Sequence, residues 1–398
     1  MQPNPESPSK DSPPPAVPFY YDPKKRAILF QIVTVLMLGL LAFYLLSNTL
    51  ANLEKQSIAT GIGFLQKEAA FEIGETPIEY SAADTYGRAL VVGFLNTLIV
   101  SFIGITITIV LGTLIGIARL SSNWLVSKLA AAYIEVLQDI PVLLQLFFWY
   151  AFFYNILPTP RQALSPITGV FLSNRGLVFA IPEAHPAYKY MALATVLAGG
   201  VIYMMRRWAR TRQAKTGQPF PVFRVSLAVL IGFPVLTWAL GGAPTAMSVP
   251  ALKGFNFQGG MNISPEFTAL LLGLILYTAA YVAEVVRAGI QSVNKGQTEA
   301  TMSLGLQPGL VLNLVVLPQA LRVIIPPLTS QMLNLTKNSS LAVAIGYPDF
   351  VSVAGTTINQ TGQAIEGVAL MMIVYLTLSL LTSAFMNWYN KKTKLVER

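Results

Sequence analysis

The chain has 398 residues, of which 54% are hydrophobic and only 11% are charged, where a soluble domain carries roughly 25% charged residues. So few charges cannot cover a surface in water, which excludes an ordinary soluble protein and points to an outer surface that faces lipid. Cysteine is absent and histidine occurs once, at His185, which excludes disulfides, zinc–thiolate and iron–sulfur sites, cysteine nucleophiles and multi-histidine metal centres.

In chain order, residues 1–27 are Pro-rich and polar and read as a disordered tail. The apolar run after them comes late and carries no A-x-A site, so it reads as a retained anchor rather than a cleaved signal. A bilayer core about 30 Å thick needs about 20 apolar helical residues. The stretches 28–48, 88–118, 127–157, 187–205, 223–241, 265–288, 318–346 and 366–388 qualify, which predicts an all-α integral membrane protein with about eight spans. His185, in Pro182-Glu183-Ala184-His185-Pro186, reads as a solvated loop imidazole. The span 318–346 contains Pro326, Pro327 and the polar run Thr336-Lys337-Asn338-Ser339-Ser340. Non-helical backbone at membrane depth is tolerated only inside protein or beside water, so this span is expected to be broken and interior.

The formal charge is +9. A basic balance can signal nucleic acid, but here Lys and Arg cluster beside apolar runs, which is how orientation is written in a membrane protein. With both termini in the cytoplasm, most of the 27 Lys and Arg residues fall on that side. The run Arg206-Arg207-Trp208-Ala209-Arg210-Thr211-Arg212 either fixes this orientation or binds anionic lipid.

Ionisable groups within spans are costly and mark interior faces or wet paths. Asp139 precedes Pro141, whose missing N–H bends the helix; Asp139 is placed to satisfy freed backbone groups or, with Gln145, to line a path. Glu284 and Arg287, three apart, share a helix face and brace it or take part in gating. Lys337, with Asn338 and Ser339, is expected as a buried ammonium on a broken helix, either holding a substrate carboxylate or pairing internally.

Between the sixth and seventh spans, residues 289–318 are longer than a connection needs to be. A short helix there ends at a glycine break, Gly305. Small residues at Ala300, Thr301, Ser303 and Gly305 allow close approach, and Met302 and Leu304 offer adaptable apolar contact. Glu299-Ala300-Thr301, three residues, Gly305, nine residues, then Val315-Val316-Leu317-Pro318 resembles the EAA loop of bacterial ABC-importer permeases. Thr301 stands where that family usually has Ala, and Val315 where it often has Ile. Asn96-Thr97-Leu98, 139–146, 281–289 and 335–341 resemble the permeases for polar amino acids (histidine, glutamine, glutamate, arginine and opine importers). The segments 61–65, 71–75 and 84–90 are similar to general L-amino-acid permeases of the Aap/Bzt type.

The resemblance implies a type I ABC-importer permease core with an extra N-terminal helix and a two-helix insert. The implied organisation is a tail at 1–27, a helix and periplasmic segment at 28–87, core at 88–157, insert at 158–264, core at 265–390 with a coupling loop at 289–318, and a tail at 391–398. It also implies import of L-amino acids across a bacterial inner membrane, with broad or acidic/neutral specificity because no acidic cluster demands a cationic substrate. Expected partners are a second homologous permease, two ATP-binding subunits that hold ATP and magnesium, a periplasmic amino-acid-binding protein and membrane lipids, with no nucleic acid. The chain itself is expected to carry no cofactor and to be no enzyme. Glu299, Ala300, Thr301, Gly305 and Pro318 would couple to the ATPase. Lys337, Asn338, Ser339, Gln145, Asp139 and Glu284 would line the path. A secondary carrier or channel is the alternative, but it leaves the loop unexplained. A phosphate-chemistry enzyme would want a G-x-x-x-x-G-K-[ST] loop, and the sequence has none.

Overall fold

The computed structural model describes residues 22–55 and 61–393; residues 1–21 of the tail expected at 1–27 and residues 394–398 of the tail expected at 391–398 lie outside these. Helix α1 (Pro23–Lys55) begins inside the segment expected to be tail and exposes apolar side chains along its length. Next come α2 (Tyr86–Arg119), α3 (Trp124–Asp139) and α4 (Val142–Ile156). After a set of strands, α5 (Pro186–Thr216) and α6 (Val222–Leu240) form a hairpin. More strands lead to α7 (Pro265–Gln291), the short α8 (Lys295–Ser303) and α9 (Pro308–Val311), and then α10 (Leu317–Asn338), α11 (Phe350–Thr361) and α12 (Ala364–Thr393). Seven helices among the described residues are long and apolar enough to cross a membrane, or eight if α3 and α4 form one span.

Caps fix where these helices start. Thr85, Asn123 and Ser264 accept hydrogen bonds from backbone N–H groups in the first turns of α2, α3 and α7, satisfying donors that the helix leaves open. His185 is exposed and its Nδ1 accepts from Ala187 N at the start of α5, so the expected loop imidazole is also a helix cap. Two expectations about breaks change. The span expected at 127–157 is two helices meeting at 103°, broken at Ile140-Pro141. The span containing Pro326 and Pro327 stays α-helical to Asn338, then tightens into a 3₁₀ turn, Ser339–Ile345. Proline removes a donor but has a helix-compatible φ, so neighbouring helices can hold it within a span.

The residues flanking the α5–α6 hairpin add strands outside the helices. Strands β1 (Leu164–Ile167), β2 (Val170–Ser173), β3 (Gly176–Phe179) and β8 (Met261–Ile263) form one antiparallel sheet. β4 (Ile181–Pro182) pairs with β5 (Met247–Ser248), and β6 (Ala251–Lys253) with β7 (Asn256–Gln258). The pairings β3–β8 and β4–β5 hold the start of α5, the end of α6 and the start of α7 on one side, called here the strand face. The α5–α6 link and α8 lie at the opposite ends of these helices, at the loop face.

The core is centred on α7, the most buried of the spans. A Cβ on Gly112 would lie 2.6 Å from Val282, and one on Gly116 would lie 2.6 Å from the Ala283 carbonyl. With the four-residue spacing of these glycines, the α2 backbone lies directly on the Val282 and Val286 side chains and the Ala279 and Ala283 carbonyls of α7, as small residues permit in membrane interiors. Gly273 does the same for Leu146 of α4, and Gly289 for Ile324 of α10. Gly116→Leu is expected to wedge this seam apart at a cost of about 1–3 kcal/mol. It should lower the detergent melting temperature, whereas Gly199→Leu on α5, with no atom within 4 Å of its Cβ position, should leave it unchanged.

Candidate translocation and coupling sites

At the strand face, α2 ends in a buried polar node. The Asn96 amide donates to the carbonyls of Glu75 and Pro348, both at 2.9 Å, joining the 61–85 segment to the turn before α11. Thr97 Oγ1 accepts from Phe350 N at 3.0 Å and donates to Gly93 O at 3.1 Å. Asp349 is fully buried and caps α11. Its carboxylate accepts from Ser352 N at 2.9 Å and from the Tyr375 hydroxyl at 3.1 Å. Burial pushes the Asp349 carboxyl up from 3.8 to about 6, against the opposing pull of these hydrogen bonds. Burial also raises Glu75; hydrogen bonding from Ser264 opposes the rise and the charge of Glu266 adds to it.

A cavity of about 420 Å³ opens beside this node, lined in part by Glu72, Glu75, Glu266, Ser264, Ser352 and Thr356. A second, of about 530 Å³, shares Glu75 and Ser264 and reaches Asn96, Tyr347 and the strand residues Met261 and Asn262. The sequence holds no contiguous acidic cluster, yet the fold assembles one from residues almost 200 positions apart.

The residues expected to line a path do not line either cavity. Gln145 is buried and donates from Nε2 to the carbonyls of Leu137 and Ile140, both at 3.0 Å. Gln145 therefore satisfies the carbonyls at the α3–α4 bend, the role expected of Asp139, which is exposed. Glu284 forms a two-pronged ion pair with Arg287, with Arg287 Nε at 2.8 Å, and Arg287 also donates to Gln291. This is the helix brace of the two readings. Lys337 is exposed, not buried. Asn338 is half-buried, and Ser339 is fully buried with its hydroxyl on Thr336 O at 2.7 Å. Only Lys337 of these three joins an exposed polar stripe, with Ser330 and Asn334 at helical spacing on α10.

At the loop face, Asn294 caps α8 by accepting from Gly296 N at 2.8 Å. Thr301 is buried and donates to Gln297 O; buried Val311 lies on the next turn. These two seat α8 against a π turn, Leu312–Val316, that leads into α10, with Pro318 half-buried in its first turn. Glu299, Ala300, Met302, Leu304 and Gly305 are left exposed, Leu304 at 81%. Gly305 has φ +77°, the left-handed region, so a β-branched residue there would strain the turn although its Cβ position is open. The result is a small knob between α7 and α10 in the chain, packed on the π turn, with an unburied apolar tip.

Residues 108–395 match the family described as binding-protein-dependent transport system inner membrane component. The chain belongs to this family. It is a multi-pass membrane transport component rather than an enzyme. It is 50% identical over 378 residues to the general L-amino acid transport system permease protein AapQ of Rhizobium johnstonii, covering 95% of this chain and 94% of that one. It is also 50% identical to the putative amino-acid ABC transporter permease protein YhdX of Escherichia coli, over 95% and 97% of the two chains. The glutamate/glutamine/aspartate/asparagine permease protein BztB of Rhodobacter capsulatus is 39% identical over 95% and 96%. Among solved structures, a crystal structure of an amino acid ABC transporter with histidines aligns at 21% identity, covering 77% of this chain and 95% of that one, with a TM-score of 0.45.

Sequence reading of this permease component missed Asp349, Glu75 and Tyr375. Asp349 carried a usable signal, a carboxylate directly before an apolar helical run, which marks an N-cap; Glu75 stood in the 71–75 segment noted for its resemblance but was not read as a site residue, and Tyr375 carried no signal. The raised Asp349 value sets a pH dependence. The folded state binds the extra proton between about pH 4 and 6, so this contribution to stability is complete below about 4 and is lost as pH rises through 6, by up to about 3 kcal/mol. Melting temperature should fall over that window, and Asp349→Asn should flatten the fall, leaving a residual slope from Glu75, which shifts the same way.

Proposed function

We propose that this chain is one of two permease subunits of an ATP-driven, binding-protein-dependent importer of L-amino acids, with the loop face and both termini in the cytoplasm. The observation that carries the reading is the exposed knob at 299–305, held between the most buried span and α10. Met302 and Leu304 together leave an apolar tip in water, which a partner surface can cover. The names of the relatives, which cover nearly the whole chain at 39–50% identity, supply the amino-acid substrate.

In this reading the ATPase subunits, which hold ATP and magnesium, grip Glu299, Ala300, Leu304 and Gly305, while buried Thr301 and half-buried Pro318 transmit their movement to α7 and α10. Loaded binding protein docks at the strand face. Transport follows only if each partner binds one of the two conformations better than the other. The path runs along the Ser330–Asn334–Lys337 stripe, where the second permease faces it, and Lys337 meets the substrate carboxylate. Gln145, Ser339 and Glu284 serve as bend closure, core and brace in this scheme, and Asp139 and Asn338 flank the path. The three glutamates around the strand-face cavity favour the broad arm of the specificity over a purely acidic one, since an anion meets like charge there.

Leu304→Glu should leave the melting temperature unchanged and weaken recovery of the ATPase subunit about thirtyfold or more, as hot-spot losses do. Unchanged recovery would remove the docking role. Gly305→Val should retain the ATPase subunit but separate ATP hydrolysis from transport in proteoliposomes. Lys337→Gln should raise the half-saturating amino-acid concentration for uptake about tenfold or more while binding-protein docking stays intact; uptake at normal affinity would assign Lys337 to structure alone.

A further inference from the structure

The α5–α6 hairpin carries a concentration of charge that the transport reading does not use. From Pro186 to Leu240 the sequence contains no Asp or Glu. At the loop-face end it carries Arg206, Arg207, Arg210, Arg212, Lys215 and Arg224. Among the described residues none of these has an ion-pair partner. Arg206 and Arg210 stand one helical turn apart, a like-charge spacing that destabilises a helix unless an anion lies between.

These two arginines line a concavity of about 220 Å³, together with Gln213 and the apolar surfaces of Ala209, Phe220 and Val222. The surrounding groups hold it in shape. Gly217, in the left-handed region, turns the chain from α5 toward α6. Phe220 packs edge-on against Trp208, with ring centroids 5.3 Å apart, and the Arg212 guanidinium lies over the same indole at 5.5 Å. Arg212 is thus occupied by the aromatic ring and by Gln218, which leaves Arg206 and Arg210 as the free donors of the concavity.

Position in the bilayer selects the anion. The apolar part of α5 ends at Met205 and the arginines begin at the next residue. Trp208 and Phe223, both exposed, mark the level where aromatic side chains meet headgroups. Directly toward the strand face, α5 and α6 expose Val201, Tyr203, Met204, Leu227 and Leu230, a surface suited to acyl chains. An anion at this height with an apolar tail below it is a phospholipid.

We propose that the loop-face end of the α5–α6 hairpin binds the phosphate headgroup of an anionic phospholipid, with Arg206 and Arg210 as its direct contacts. Guanidinium groups bind phosphate through paired N–H donors, and the hairpin lacks any carboxylate that would compete for them. The site is independent of the coupling and path residues.

The test is native mass spectrometry of the full-length chain, in the complex with which it purifies, delipidated in detergent and then given phosphatidylglycerol or phosphatidylcholine. The wild type should retain phosphatidylglycerol about thirtyfold better, in keeping with the contribution of two arginines at a membrane surface. Arg206→Gln with Arg210→Gln should bring the two lipids level. Arg206→Lys with Arg210→Lys, which keeps the charge, should preserve a preference, and Lys189→Gln at the other end of α5 should leave it unchanged. Equal retention of both lipids by the wild type, or an unaltered preference in the double glutamine variant, would overturn the proposal. So would displacement of phosphatidylglycerol by inorganic phosphate as effectively as by more lipid, which would assign the concavity to a soluble anion.

Discussion

The close approach of α2 to α7 is the contact from which the rest of the core is positioned. Lipid offers no hydrophobic drive for two apolar helices to associate, so association rests on packing and on interhelical hydrogen bonds. Gly112 and Gly116 let α2 rest on the Ala279–Val286 stretch of α7, where the Ala279 and Ala283 carbonyls and the Val282 and Val286 side chains fill the space a Cβ would take. That places the strand-face half of α2 where Gly93 touches the Asp349 backbone and Asn96 reaches two carbonyls on separate segments. A wider seam would leave those carbonyls and Phe350 N, which donates to Thr97, without partners, and unsatisfied polar groups at membrane depth cost several kcal/mol each.

From that seam, α7 joins the two candidate sites. Its N-cap Ser264 lines both strand-face cavities, and its far end passes through the Glu284–Arg287 brace into α8. At 27 residues it spans about 40 Å. Gly289 then admits Ile324, so α10 is set against the same helix just above the knob. A displacement of the knob cannot be absorbed locally, because Thr301 and Val311 pack α8 onto the turn that begins α10. The bend at Ile140-Pro141 is a further irregularity in the core, and Gln145 closes it internally.

What the sequence made legible was whatever depends on local pattern. Apolar length marked the spans, small residues and a glycine marked the knob, and opposite charges three apart marked the brace on α7. Charge spacing does not reveal which face of a helix meets protein, and so Lys337 was expected inside and stands exposed. A proline signals a missing donor but not who replaces it; Asp139 was nearer in sequence, but a carboxylate only accepts, and the amide of Gln145 supplies the donor at the bend. The strand-face acidic lining and the Asp349 node join residues from opposite ends of the chain, and no local pattern carries that. The strands around the hairpin were hidden by the search for long apolar runs, since β1 to β8 are two to four residues each.

The exposed stripe on α10 gives the strongest physical reason to expect company in the membrane. Ser330, Asn334 and Lys337 lie on one face that no helix among the described residues covers. An ammonium facing hydrocarbon at that depth is costly even when its side chain reaches toward the interface. The exposed faces of α1, α5 and α6, by contrast, are apolar up to their ends and suit lipid. The chain therefore has two kinds of exposed membrane surface, one matched to acyl chains and one matched to polar protein or water. A second permease packed against α10 would cover the polar stripe and enclose it as a path. The α5–α6 hairpin, joined to the core mainly through short strands, would remain outside that contact and meet the lipid.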